Sequence, residues 1–353
     1  MPHRGCTAIT SPEPGTLGSE GQGLLAGFLV LALALTALQY AGLMPRISAA
    51  GTELHSAPVA GALPVADPTS VLWSSATPVS VPLSGQVSIR PTLDVPTIPS
   101  LEVRSLNNET HVAFRIGWAD ATVNNRTTSQ TAFRDAVAIQ IGGASQLPFL
   151  CMGAATARMH IMQWKADWQA DIEEGFRDLQ HEFPNFWVDY YPYAMGEPPY
   201  ALPDAFSENA SLFLVGYTLG NPFSQPLKVT PVEDAVAEGF STITTQAVQN
   251  AIGRGIWSDG RWSVVIARPK ASLDGQDVRV EDGNVVAFAA WDGGSGNVGS
   301  RKSVSTWLTL RVRPPVESDV GARILVTVAV LAITSFILIV HASRRRPRRP
   351  ERT

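Results

Sequence analysis

Runs in which every second residue is apolar occupy much of the middle of the chain. In "HVAFRIGW" (111–118) the apolar side chains fall on one face of an extended strand, and Val137, Ile139 and Ile141 do the same in "AVAIQI" (136–141). Clusters of Gly, Asp, Asn and Pro separate these runs, as the turns of an antiparallel sheet require. Further strands are predicted at Ser211–Tyr217, Trp262–Arg268, Val285–Trp291 and Val304–Val312. The pattern predicts a mainly β domain, an antiparallel β-sandwich.

Two segments depart from the alternation and predict helices inserted into the sandwich. Large apolar residues recur every four positions from Trp164 to Phe176, with Asp, Glu and Gln between them, which is typical of an amphipathic helix. A second helix is predicted from Val232 to Phe240. The expected fold is therefore a β-sandwich with a few inserted helices.

Two long apolar runs near the ends of the chain favour membrane segments. Leu24–Met44 and Ile324–Val340 contain no charged residue, and each approaches the roughly 20 apolar residues that cross a bilayer core. We interpret 24–44 as a signal peptide or a signal anchor, because small residues follow it in "ISAAG". We interpret 321–342 as a transmembrane anchor.

The charge of the last residues predicts the orientation of the chain in the membrane. The tail 343–353 has six arginines against one glutamate, and such basic segments stay in the cytoplasm. Residues 1–23 would form a second cytoplasmic tail. Residues 45–65, rich in Ala, Gly and Pro, would be a linker, and 66–313 would be the folded domain on the extracytoplasmic, periplasmic side of the cell membrane.

The charge balance also argues against a nucleic-acid partner. The formal net charge of the chain is −4. The arginine tail contributes about +5, which leaves about −9 on the rest of the chain. Phosphate backbones bind to basic surfaces, so the domain between the two apolar runs is a poor candidate for nucleic-acid binding.

Residues with reactive or metal-binding side chains are few. Cys6 and Cys151 are the two cysteines, and the predicted topology places them on opposite sides of the membrane, so they form neither a disulfide nor a covalent haem attachment. His111, His160 and His181 lack the close spacing of a zinc site. No nucleophile elbow is present, and the carboxylates are scattered. The sequence therefore predicts a chain that is not itself an enzyme.

Soft side chains concentrate in "PFLCMGAATARMHIMQWKADWQAD" (148–171), which holds three of the six methionines. Met152 is followed by a glycine that would let a flat ligand approach the backbone. Met159 and Met162 have the spacing of packing positions. By its residue type alone, Met152 is also a packing residue, and Lys302 in "GSRKSVSTW" is a solvated charge.

Eight motifs follow one another in the order found in a known family. They are "ADPTSVLWSSATPVSVPLSGQ" (66–86), "FRIGWADAT" (114–122), "FRDAVAIQI" (133–141), "PFLCMG" (148–153), "QWKADW" (163–168), "VAEGFST" (236–242), "GRGIWSDGRWSVVIARP" (253–269) and "VVAFAAWDGGSGNVGSRKSVSTWLTL" (285–310). Together they resemble the haem b-binding gamma subunit of ethylbenzene dehydrogenase, dimethylsulfide dehydrogenase and the chlorate and selenate reductases. The resemblance covers nearly all of the predicted domain.

The resemblance implies a β-sandwich that holds one haem b between a methionine and a lysine. Matched motif by motif, these axial ligands are Met152 and Lys302, with His160 as a possible substitute ligand. A thioether is a soft ligand that favours ferrous iron, whereas a lysine ligates only as the neutral amine. With both axial positions filled by the protein, the iron exchanges electrons but binds no substrate.

The same resemblance implies partners. The expected role is a non-catalytic electron-transfer subunit, tethered to the membrane by its C-terminal helix. It would relay electrons between an iron–sulfur subunit, associated with a molybdopterin catalytic subunit, and a quinone or cytochrome of the respiratory chain. The alternative is a β-sandwich without haem that serves as a binding module or a structural anchor, because a fold alone does not define a function.

Overall fold

Strands of one sheet make up most of the part of the chain that can be described. The computed structural model describes residues 53–143, 152–154, 157–177, 182–185, 216, 219–225, 228–239, 241–272 and 274–313. All of them lie within a compact unit that spans 48–317.

Within those residues the sheet has 13 strands. The strands are β1 (Glu53–Pro58), β2 (Val79–Gly85), β3 (Ser100–Asn107), β4 (His111–Ala119), β5 (Ala136–Gly142), β6 (Met159–Lys165), β7 (Val232–Ala237), β8 (Thr244–Thr245), β9 (Ile252–Ser258), β10 (Arg261–Pro269), β11 (Val285–Trp291), β12 (Ser303–Ser305) and β13 (Leu308–Val312). One α-helix, α1 (Ala166–Glu174), follows β6, and 3₁₀ turns occupy Val71–Ser75 and Pro222–Ser224.

The sheet has two halves whose inner faces form a common core. One half has the order β8-β7-β6-β5-β11 and the other has the order β3-β4-β10-β9. Two paths join them: β12 and β2 form one path, and β13 and β1 form the other. Trp164 of β6 meets Trp262 of β10 with ring centroids 5.0 Å apart, which shows that the two halves pack face to face. The observed mainly antiparallel sheet with one helix agrees with the predicted β-sandwich.

Several strands match the alternating runs of the sequence. The predictions around 111–118, 136–141, Trp262–Arg268 and Val285–Trp291 are confirmed by β4, β5, β10 and β11. Val304–Val312 forms two short strands, β12 and β13, in place of one. The predicted strand at Ser211–Tyr217 lies, apart from Gly216, outside the described residues.

The helix predicted from Val232 to Phe240 is wrong, because Val232–Ala237 forms the strand β7. All six residues of β7 are buried, and each face of the strand carries one carboxylate, Glu233 on one face and Asp234 on the other, so "VEDAVA" shows no alternation of polar and apolar residues. Both ionisable residues of this strand have partners. Glu233 forms an ion pair with Lys165, and Asp234 accepts hydrogen bonds from the backbone N–H groups of Asn250 and Ala251. A buried strand with a bonded acid on each face lacks the period-2 pattern by which β5 was identified.

Two other boundaries differ from the sequence prediction. The amphipathic helix begins at Ala166 and not at Trp164, because β6 continues to Lys165, which pairs with Ala136 of β5. Part of the predicted linker 45–65 is a strand: β1 pairs in parallel with both β13 and β3. A short strand between two partners needs little sequence signal, because neighbouring strands supply its hydrogen bonds.

No described helix is long and apolar enough to cross a bilayer. The two predicted membrane segments, 24–44 and 321–342, and the tails 1–23 and 343–353 lie outside the described residues. Their topology therefore stays a prediction.

A group of three tryptophans fills one end of the core. Trp118, Trp164 and Trp262 contact one another with ring centroids 5.0 to 6.4 Å apart. Each buried indole N–H has an acceptor, as the cost of burying an unpaired donor requires. The acceptor for Trp262 is the carboxylate of Asp135, 3.1 Å away, which also accepts backbone N–H groups from Asn124 and Gly293.

Asp135 should make the stability of the domain depend on pH. Burial raises the pKa of this carboxyl to about 7, against the opposing effect of its hydrogen bonds. The unfolded value is about 4, so the folded state binds the proton more tightly, and this contribution to stability is lost as pH rises from about 4 to about 7. Asp135→Asn should show a smaller loss of stability between pH 5 and pH 8, measured by urea unfolding.

The exposed Asp94→Asn substitution is the matched control and should retain the wild-type pH dependence. Equal pH dependence in the two variants would contradict the role of Asp135. A loss of stability in Asp135→Asn that is equal at all pH values would be consistent with this role, because the amide nitrogen cannot accept the hydrogen bonds that the carboxylate oxygen accepted.

Candidate functional site

The outer face of one half of the sheet is rich in alanine. The alternation that directs Val137, Ile139 and Ile141 of β5 into the core turns Ala136 and Ala138 to the opposite face. We call this surface the alanine face; its residues are Ala136, Ala138, Ile161, Ala235, Ala237, Ala289 and Trp291. Cross-strand pairs such as Ala289 with Ala138 and Ile161 with Ala235 keep these side chains together. The result is an apolar environment of short side chains with the sheet backbone close beneath.

Met152 packs against the alanine face and is half-buried. Its position follows from Gly153, which has a φ of 78° and lies against β7. A Cβ atom at Gly153 would come within 2.7 Å of the carbonyl oxygen of Ala157 and 2.9 Å of that of Ala237. The backbones of Ala154 and Ala157 close the turn with two mutual hydrogen bonds of 3.1 and 2.8 Å. The glycine thus brings the chain close to the sheet and fixes Met152 beside it.

Lys302, the residue immediately before β12, reaches the same face. Ser303 pairs with Ala290 of β11, so the preceding residue lies next to Trp291. The Nζ atom of Lys302 is 5.1 Å from the centroid of the Trp291 ring. The indole N–H of Trp291 donates to the carbonyl oxygen of Gly299 at 3.0 Å, which holds the ring against the loop that carries Lys302.

The structure therefore brings Met152 and Lys302, which are far apart in sequence, to residues of one apolar surface. Met152 contacts the alanine face, and Lys302 contacts Trp291, a member of it. A thioether and an amine are the donor types that the family resemblance assigns to a haem iron, and an apolar surface of short side chains suits a flat macrocycle. Their role as ligands stays a prediction.

His160, the substitute ligand, lies on the core side of β6. It is fully buried, its Nε2 is 2.8 Å from Asp234 Oδ1, and its Nδ1 contacts the guanidinium of Arg268. Asp277 Oδ1 lies 3.3 Å from the same Nδ1. Both ring nitrogens are engaged with ionisable groups, and the neighbours of His160 on β6 point to the other face. This geometry favours Met152 over His160.

The other candidates from the sequence have structural roles or lie outside the described part. Met162 belongs to the main core, and Met159 contacts Gly142 and Gly153, so both are confirmed as packing residues. The Nδ1 atom of His111 is 2.8 Å from the hydroxyl of Thr110. Cys6, Cys151 and His181 lie outside the described residues.

A buried ion pair that the sequence did not indicate lies at the edge of the alanine face. Lys165, paired with Ala136 across β5 and β6, forms an ion pair with Glu233 and is almost fully buried. Its Nζ lies 4.0 Å from the ring centroid of Trp168 and 4.1 Å from that of Phe223. Burial lowers the pKa of Lys165 to about 8. Continuing the alternation of β6 through "MHIMQWK" would have placed this lysine on the outer face.

Among the described residues, Asp120, Asp135 and Asp292 bring carboxylate oxygens within 4.8 Å of one another. Their oxygens already accept hydrogen bonds from N–H groups, including those of Thr122, Trp262 and Ser295. The trio therefore acts as an acceptor network that holds loops to the core.

Comparisons with known proteins agree with the resemblance inferred from the motifs. A family model described as "Ethylbenzene dehydrogenase" matches residues 70–185. A protein of Haloferax mediterranei named "Putative respiratory nitrate reductase heme subunit ORF7" is 26% identical over 277 residues, which cover 77% of this chain and 77% of that protein. Among solved structures, a family 9 carbohydrate binding module from Caldicellulosiruptor kristjanssonii in complex with glucose covers 75% of this chain and 98% of its own, with 6% identity and a TM-score of 0.34.

Replacing Gly153 by alanine should destabilise the domain and disturb the position of Met152. The cost should be about 1 to 3 kcal/mol, because a left-handed φ strains an L side chain and the new methyl group meets two carbonyl oxygens. Gly143→Ala is the matched control, since a Cβ atom there meets nothing within 4 Å. Urea unfolding of the two variants measures the difference. Equal stabilities would show that Gly153 does not fix the turn.

Proposed function

We propose that this chain is a haem b-binding, non-catalytic subunit of a respiratory oxidoreductase complex, and that it transfers electrons between the other subunits and the respiratory chain. The premise is the similarity to a protein named as a heme subunit of a respiratory nitrate reductase, together with the ethylbenzene dehydrogenase family match. The observation that carries the proposal is that Met152 and Lys302 each contact a member of one apolar surface, the alanine face.

The donor set suits a haem whose iron is closed to substrates. When bound, haem b supplies a one-electron iron centre. Met152 would provide a soft thioether that favours the ferrous state. Lys302, in the last of the eight motifs, would provide a neutral amine. Trp291 keeps the Lys302 side chain beside the alanine face. The alanines of this face would offer the macrocycle an apolar surface of short side chains.

The partners and the location follow from the same proposal. The catalytic reaction would take place in a molybdopterin subunit, and an iron–sulfur subunit would exchange electrons with this chain. The predicted anchor 321–342 would hold the complex at the membrane, with the domain on the periplasmic side, near a quinone or a cytochrome. These assignments rest on the resemblance and on the apolar and basic segments of the sequence.

Met152→Ala tests the ligand assignment. The purified full-length protein in its reduced state should show a low-spin haem b spectrum, and acidified solvent should extract the haem because no cysteine pair attaches it. The alanine variant should show high-spin character or lose haem, and its midpoint potential should fall, because the ligand that favours ferrous iron is gone.

Met162→Leu is the matched control, because it replaces a methionine of the main core by a residue of similar volume and should retain the spectrum. An unchanged low-spin spectrum in Met152→Ala would disprove the assignment and redirect attention to His160. A colourless wild-type protein would favour the haem-free binding or structural module.

Purification of the full-length chain in mild detergent tests the proposed partnership. Cells grown under conditions that induce the protein should yield a complex that contains a molybdopterin subunit and an iron–sulfur subunit, identified by mass spectrometry and by metal analysis. Isolation of the chain without any partner would argue against a role in an oxidoreductase complex.

A further inference from the structure

Two loops beside Lys302 are joined into one surface. The β2–β3 loop and the β11–β12 loop share several hydrogen bonds: the N–H of Gln86 donates to the carbonyl oxygen of Lys302 at 3.1 Å, and its side-chain amide donates to that of Ser300 at 2.8 Å. The hydroxyl of Ser300 donates to the carbonyl oxygen of Pro91 at 3.1 Å. We call these two segments together the loop surface.

The two segments of the loop surface expose both valines and arginines. Val87, Val95 and Val298 are 63%, 75% and 47% exposed. Arg90 and Arg301 are also exposed. Apolar side chains interspersed with arginine are typical of protein–protein contacts, whereas three exposed valines on two short loops are unusual for a surface that meets only water.

The arginines of the loop surface differ from most others in the protein. Most described arginines pair with a carboxylate, as Arg104 and Arg261 do with Glu102. Within the described ranges neither Arg90 nor Arg301 has an ion-pair partner. The acidic residues of the loop surface are the exposed Asp94 and the partly buried Asp292, whose carboxylate accepts hydrogen bonds from Ser295 and lies beside those of Asp120 and Asp135. These two cations lie on a chain whose remaining charge is strongly negative, so they form a local positive site that suits an acidic partner.

We propose that the loop surface is the docking site for the electron-exchanging partner subunit, which presents an acidic face to Arg90 and Arg301. This inference rests on the proposed function, because it assigns the place where electrons enter or leave. Lys302 lies at the base of the loop surface: its side chain contacts Trp291 of the alanine face, and its carbonyl oxygen binds Gln86. The proposed iron ligand Lys302 is therefore the immediate chain neighbour of Arg301, an exposed cation that a partner can contact.

Charge reversal at the loop surface, as R90E/R301E, tests this docking site. The matched control is R279E/R313E, which changes the net charge equally at exposed arginines that also lack an ion pair among the described residues. Arg279 precedes β11 and the loop surface follows it, so the length of that strand, about 20 Å, separates the two sites. Both variants should keep the wild-type haem spectrum.

The first measurement uses small redox reagents of opposite charge on the reduced full-length protein. At low ionic strength, oxidation by the ferricyanide anion should slow by about tenfold in R90E/R301E, and oxidation by the tris(phenanthroline)cobalt(III) cation should accelerate. High salt should abolish both effects, because it screens exposed charges. The control variant should change either rate by less than twofold.

The second measurement is the yield of partner subunits that co-purify with each variant. R90E/R301E should lose its partners at a salt concentration that leaves the wild type and R279E/R313E associated. Both double variants keep the haem spectrum if the haem function is right. If they then retain partners equally, or react equally with the two reagents, the assignment of the docking site is wrong and the haem function stands. A colourless wild-type protein would overturn the haem function and the docking site together.

Discussion

Alternate residues of β5 and β11 pack in the core and line the outer face of the sheet. A strand directs alternate side chains to opposite faces, so the residues that build the core also determine what the outer face can be. In β5 the large residues Val137, Ile139 and Ile141 face inward, and Ala136 and Ala138 face outward. A shift of one residue in register would bring the alanines into the core and leave it underpacked. The alanine face is thus fixed by the same pairing that stabilises the sandwich.

Buried ionic groups strengthen this register on both sides of the sheet. On the core side, His160 of β6 contacts Asp234 of β7 and Arg268 of β10, so the group joins the two halves of the sandwich. On the outer side, Lys165 pairs with Glu233 across β6 and β7. Removing one member of such a pair leaves a buried charge without its partner, which costs several kcal/mol, whereas the intact pair adds little net stability. The contribution of these groups to the alignment of the strands thus lies in the cost of breaking them, because a shift in register would separate the partners.

The sequence predicted those strands in which large apolar side chains alternate with small or polar ones. The strands β4, β5, β10 and β11 were identified in this way, although all seven residues of β5 are buried, and Met159 and Met162 were recognised as packing residues. The prediction failed for β7, because Glu233 and Asp234 place a carboxylate on each face of a buried strand and their partners lie elsewhere in the chain. It also failed for β1, which gains its hydrogen bonds from two neighbouring strands.

The candidate site could be predicted only in part, because contacts between distant parts of the sequence position its residues. Met152 and Lys302 were singled out by family resemblance, but neither residue type nor spacing indicates that Gly153 and Trp291 position them. Those roles depend on a close approach to the backbone of β7 and on the loop after β11, and both are long-range contacts. Lys165 was missed because a lysine between two tryptophans is typical of an exposed helix, whereas the strand continues through it.

The coordination state of the haem in the wild-type full-length protein tests whether two side chains of this chain bind the iron. Electron paramagnetic resonance of the oxidised protein, with a haem assay on the same sample, should give one haem b per chain and a low-spin ferric signal, because protein groups fill both axial positions. A protein without haem, or one whose haem is high-spin with an open coordination position, would contradict the account.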